Sequence, residues 1–130
     1  MTKKNYHIED LFKALADRTR LRLISLIGDS EVCVCFFVAI LKTSQPKISR
    51  HLAYLRRAGI VAARREGKWM HYRLAEPPDE HAAHIYREVR ASLAAHPDLQ
   101  RDREKLLKVC CATQLPVQLR RAPRPLGLAA

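Results

Sequence analysis

No stretch of the chain restricts its fold more than the segment from Val32 to Gly59. Its first ten residues, Val32 to Leu41, are all apolar. Residues 44–59 then change character. Ser44 suits a helix N-cap, Pro46 is tolerated in a first turn, and Gly59 suits a C-terminal stop. Between them Ile48, Leu52 and Leu55 fall on one helical stripe. The opposite face carries Arg50, Tyr54 and Arg57, flanked by Lys47 and Ser49. Periodicity alone leaves strand or helix open for residues 32–41, and the helical setting favours a short helix ending near Lys42. The gap that remains is about the tight turn a helix-turn-helix requires.

The flanks agree with an α-rich domain. Ile8, Leu11, Phe12 and Leu15 form one stripe of a first helix. Asp17 suits the N-cap of a second, in which Leu21, Leu23, Ile24, Leu26 and Ile27 point several ways and predict deep burial. Gly28-Asp29-Ser30 breaks it. Val61 to Arg65 and Trp69 to Leu74 suit two strands around a Glu66-Gly67 turn. After Pro77-Pro78, Asp79 starts a helix with Ala82, Ile85, Val89 and Leu93 along one side, and a last helix follows Pro97 to about Cys111. The expected fold class is mainly α with a small β-hairpin wing, a winged helix-turn-helix. Residues 114–130 form a basic, proline-containing tail with no acid, expected to be disordered.

The 130 residues leave room for one core, and 24 Lys plus Arg against 13 Asp plus Glu give a net charge of +11. Such a surface favours polyanions, against the plainer reading of a basic surface with no partner. An α-helix fits the major groove of double-stranded DNA. Gln45 and Ser49 can donate and accept there, while Lys47 and Arg50 can reach guanine edges or phosphates. Arg64, Arg65 and Lys68 at the hairpin tip can reach the backbone or the minor groove. No Gly-rich phosphate loop, nucleophile–base pair or paired carboxylates stand out, so an enzyme is the weakest reading. The opening Met-Thr-Lys-Lys leads into Ile8-Glu9-Asp10 without an apolar core, and the longest apolar run is too short for a bilayer. A cytoplasmic protein with reduced thiols and no membrane partner is expected.

Three strings carry a family likeness: Ser44-Gln45-Pro46-Lys47-Ile48-Ser49-Arg50-His51-Leu52, then Leu55 to Val61, then Arg65-Glu66-Gly67-Lys68-Trp69-Met70-His71-Tyr72-Arg73-Leu74. Over about residues 8–92 the chain resembles the ArsR/SmtB family, and within it the arsenic-responsive repressors. The resemblance implies a homodimer held by the first helix and the helix of residues 79–95. It implies a palindromic, inverted-repeat DNA operator, released when As(III) or Sb(III) binds as inducer. His51 and His71 fall within the family's DNA-binding motifs, where packing or a phosphate contact suits them, and Tyr54 on the outward face of the helix is a further DNA-binding candidate. Residues 1–95 are then the DNA-binding and dimerisation domain, and 96–113 a C-terminal helix.

Cys33-Val34-Cys35 resembles the family's inducer motif at the start of the third helix. Thiolates suit a soft trivalent ion. On a regular helix, residues two apart lie about 200° apart, so a shared ion predicts local unwinding. The usual third cysteine is replaced by Val38, and Phe36-Phe37 replace Asp-Leu. Cys110 and Cys111 could complete the site from the same or the partner chain. The alternatives are a two-thiol site for an organic arsenical, a separate site at Cys110-Cys111, a redox disulfide, or plain packing, since Cys110 continues the Leu99/Leu106 stripe. Zinc relatives suggest Asp79-x-His81, but Ser92 and Ala95 stand where the second pair should fall, and His81 and His84 read as surface residues. A thiol-redox or Zn/Cd/Pb sensor, or a nonspecific basic DNA/RNA-binding protein, are the competing functions.

Overall fold

The computed structural model describes residues 6–110 and 122–125. The elements run α1 (Ile8–Leu15), α2 (Arg18–Ile27), β1 (Val32–Cys33), α3 (Val34–Leu41), α4 (Gln45–Arg57), β2 (Val61–Glu66), β3 (Trp69–Leu74), α5 (Glu80–Leu93) and α6 (Pro97–Cys110). Two caps work as their residues predict. The Arg20 amide donates to Asp17 Oδ2 at 3.0 Å, and the Ala82 amide to Asp79 Oδ2 at 2.9 Å. Gly28 ends α2 at φ 51°, and a Cβ there would come within 2.8 Å of the Arg103 guanidinium.

Ser44 departs from expectation. It stands at the N-cap of α4 in extended backbone, but its side chain makes no cap bond. Pro46, at the second helical position, has no N–H, so one of the two amides an N-cap side chain normally serves is missing. The turn is shaped instead by Lys42, in the left-handed region at φ 51°, and by Thr43 Oγ1 donating to the Leu41 carbonyl at 3.1 Å.

The apolar run splits as well. Val32 and Cys33 form a short strand opposite Tyr72 and His71, and only from Val34 does the helix begin. The free edge of β3 offers unpaired backbone groups, and extended Val32 satisfies them better than a helical turn would. The sheet therefore has three antiparallel strands in the order β1-β3-β2, with Val61 opposite Leu74 and Glu66 opposite Trp69.

α2, α3 and α4 bury their apolar sides around Leu23, Ile27, Phe36, Phe37, Leu52 and Leu55. Tyr86 of α5 closes this core, its hydroxyl donating to the Ile60 carbonyl at 3.0 Å. The α1 stripe is divided: Leu11 and Ala14 are buried, while Ile8 and Phe12 remain 38% and 52% exposed. α5 buries Ala82, Ala83, Tyr86 and Leu93, with Ile85 and Val89 only half-buried at its flank. α6 shares the main core through Leu99 and Leu106. It lies parallel to α2, pinned by an Arg18–Asp98 ion pair and by the Arg22 fork on buried Asp102 at 2.7 and 2.9 Å. Arg103 adds a bond to the Leu26 carbonyl at 2.9 Å. In the tail, Ala122 is buried and belongs to the core. Cys111 and the rest of the tail lie outside the described residues. No helix among the described residues is long and apolar enough to cross a membrane.

Candidate nucleic-acid interface and thiol site

The core stripe of α4 turns its other side to solvent. Gln45, Lys47 and Arg50 are exposed, and among the described residues no hydrogen bond or ion pair holds them. Ser49 is half-buried beside them. Tyr54 is half-buried, with two guanidinium groups against its ring, Arg20 at 4.2 Å and Arg57 at 5.5 Å from the centroid. His51 also belongs to the seam with α2, its Nδ1 lying 3.7 Å from Asp17 Oδ2 and 3.4 Å from Arg20 Nη1. Arg20 organises this seam by donating to the Ala14 and Lys13 carbonyls at 2.8 and 2.9 Å. Sequence reasoning gave Arg20 no role. Its spacing from the Asp17 cap was the available signal.

The wing tip is the Gly67-Lys68 turn, which Gly67 permits at φ 59°. Arg65 and Lys68 are exposed there, Arg65 Nε bonding the Gly67 carbonyl at 3.1 Å and Lys68 Nζ sitting 5.1 Å over the Trp69 ring. Arg64, expected at the tip, is instead held by Glu31, with Nη2 2.6 Å from Oε1, and approaches Glu66 at 3.5 Å. Glu31 was missed by sequence reasoning. The Arg64 hydrogen bond holds its carboxyl below the ordinary 4.5.

The thiols meet at the corner between β1 and α3. Cys33 is both the last residue of the strand and the N-cap of the helix, with extended dihedrals (φ −71°, ψ 143°). Cys35 Sγ donates to Cys33 Sγ at 3.0 Å. The expectation of unwinding therefore fails: Cys33 never lies on the helix, so the corner brings both sulfurs together with α3 intact. The hydrogen bond from Cys35, helped by nearby His71, lowers the Cys33 pKa to about 6 against the effect of burial. Cys35 is pushed up, because it supplies the shared proton, is partly buried and faces the Cys33 thiolate. Cys33 sits opposite His71 in the β1–β3 ladder, and buried His71 places Nε2 3.2 Å from Glu66 Oε1. A short chain of contacts thus runs from the sulfurs to the end of the wing.

Cys110 ends α6, half-buried. Among the described residues, no group of three or more His, Cys, Asp or Glu side chains is placed to hold a metal ion, so Cys110 does not join Cys33 and Cys35 in this arrangement. The ion pairs and buried leucines that fasten α6 along α2 fix where its end lies. His81 and His84 are exposed on α5, as their sequence setting suggested.

Comparison with known proteins bears on the same elements. Residues 17–63 match the bacterial regulatory protein, arsR family. The arsenical resistance operon repressor of Escherichia coli K12 is 54% identical over 66 residues, covering 50% of this chain and 56% of that protein. The matched stretch is thus about half the length of that relative. Among solved structures, HlyU from Vibrio cholerae is 32% identical with a TM-score of 0.55, covering 72% of this chain and 91% of its own. A homodimeric winged helix-turn-helix DNA-binding domain from Mycobacterium bovis is 28% identical with a TM-score of 0.55, covering 68% and 80%.

Proposed function

Because the chain belongs to the arsR family of bacterial regulatory proteins, which are transcriptional regulators and not enzymes, we propose that it is a cytoplasmic repressor releasing DNA when As(III) or Sb(III) binds Cys33 and Cys35. The 3.0 Å approach of these sulfurs, at the corner where α3 leaves a strand paired with the wing, carries the reading. A thiolate and a neighbouring thiol are ready ligands for a thiophilic ion. The Cys35 thiol displaces one hydroxide of arsenous acid, which leaves as water with the thiol's proton, and the Cys33 thiolate displaces a second, which leaves as water with a proton from solvent. Cys110 and Cys111 are the candidates for a third ligand, from either subunit.

The repressor is a homodimer paired through α1 and α5. Exposed Ile8 and Phe12 supply apolar surface for that contact. Two-fold symmetry then matches an inverted-repeat operator. Gln45, Lys47, Ser49 and Arg50 read the major groove, and Arg65 and Lys68 hold phosphates beside it. Binding to the sulfurs moves β1, and β1 moves β3 and the wing. The guest drives release only to the extent that it prefers the geometry with the displaced wing, a coupling of about 1–3 kcal/mol in typical systems.

A labelled inverted-repeat promoter fragment, titrated with protein and then with arsenite, zinc or oxidant, tests this. Arsenite alone should release wild type, and Cys33→Ser should bind DNA but ignore arsenite. Persistent binding of wild type at saturating arsenite overturns the reading. Release by zinc or oxidant alone replaces it with a different sensor.

A further inference from the structure

We propose a second ligand site, for a small organic anion with an apolar body, in the cleft between α2, the end of β3, α5 and α6. The cleft has a volume of about 450 Å³, within the ordinary range for small-molecule sites. Its floor is apolar, including Ile24, Leu74 and Leu93. Three guanidinium groups, Arg87, Arg90 and Arg103, line it; Arg87 is held by Glu76 at 2.7 Å, so Arg90 and Arg103 are the two that face the lone lining carboxylate, Asp29. Arg90 meets Asp29 at 3.2 Å, but Asp29 is 93% exposed, so this pair is a loose one that an incoming anion can replace. Arg103 is anchored only on the neutral Leu26 carbonyl among the described residues, so no carboxylate competes for it beside the cleft.

An adjoining lobe shares Gly28, Asp29, Leu74 and Arg90 with the cleft and adds Ser30. The Ser30 hydroxyl is buried, with the residue only 4% exposed, and has no hydrogen-bond partner among the described residues. A buried hydroxyl without a partner is costly, and a carboxylate or sulfonate oxygen in this lobe would accept from it. Glu31 also borders the lobe but is committed to Arg64.

The cleft is compatible with pairing through α1 and α5. At about 100° per residue, Arg87, Arg90 and Ala94 lie on one flank of α5, while Ile85, Val89 and Ser92 lie on the other. A partner packed on the second flank leaves the first open. The site is also distinct from the sulfurs: neither Cys33 nor Cys35 lines it.

Calorimetric titration of the full chain with 1-naphthoate tests the proposal, with 1-naphthalenemethanol and inorganic phosphate as comparators. Saturable binding of one naphthoate per chain is expected, with the alcohol at least about tenfold weaker for want of charge-assisted bonds. Phosphate, lacking the apolar body, should also be weaker. Ala91→Trp, at an exposed α5 position on the cleft wall, should fill the space and abolish binding while leaving the circular dichroism and DNA affinity of wild type. Arg90→Gln should weaken naphthoate and leave the alcohol unchanged. No saturable binding, equal binding of naphthoate and alcohol, or full binding by folded Ala91→Trp overturns the proposal.

Discussion

The reading helix and the wing hold their polar groups in opposite ways. On α4, Gln45, Lys47 and Arg50 extend from a helix fixed by Ile48, Leu52 and Leu55, and among the described residues nothing restrains their ends. In the wing several polar groups are tied: Arg64 to Glu31, Arg65 to the Gly67 carbonyl, His71 to Glu66. Its inner strand is also paired with β1, which ends in Cys33. Free side chains on a rigid helix suit the reading of base edges, because they pay no internal bond to make an external one. A tethered hairpin suits control, because it moves only when its tether moves. Under the proposed function, grip and release belong to different elements.

The comparison breaks first if α4 is not the main source of grip. Arg50→Ala should lose about 1–3 kcal/mol of operator affinity, read by fluorescence anisotropy, with melting unchanged. If a wing substitution costs more, the assignment is reversed. The tether is tested at the sulfurs. With Cys110 and Cys111 replaced by serine, ultraviolet absorbance should show one thiolate forming near pH 6. Cys35→Ala removes the hydrogen bond that favours that thiolate, so the step should move up toward the ordinary 9.0. An unmoved step denies the sulfur pair its role.

Smaller effects sharpen the contrast. Lys68→Ala should weaken binding evenly across DNA sequences and flatten the dependence of log affinity on log salt by about one unit. The smallest effect belongs to Glu31. Its folded pKa lies below the ordinary 4.5, so its contribution is complete above that value and is lost as pH falls through the folded pKa. Wild type should therefore melt above Glu31→Gln at neutral pH, and the gap should close in acid. A gap that persists in strong acid would show that the ion pair is not its source.

What the sequence made legible was local. The Asp17 and Asp79 caps, the stripe of α4 and the hairpin around Gly67 depend on residues a few positions apart, and each formed as its pattern predicts. What it concealed depends on distant partners. Arg64 meets Glu31 from 33 residues away, and His51 meets Arg20 from 31. β1 is only two residues long and exists because β3 has an edge to fill. The sulfur geometry was misjudged for the same reason, since a continuous helix over residues 32–41 hides the strand that brings Cys33 round to Cys35. The Ser44 cap failed through a local rule outweighed by another, the missing N–H of Pro46.

The Arg22–Asp102 pair spans 80 residues, and that separation sets a timetable for the growing polypeptide. A ribosome delivers α2 long before Asp102 leaves the exit tunnel, so Arg22 and the leucines around it wait without their cover. Closing so large a loop costs entropy before any contact repays it. Docking of α6 is therefore a late event in biogenesis, and until it occurs the nascent domain exposes the surface by which chaperones recognise unfinished proteins.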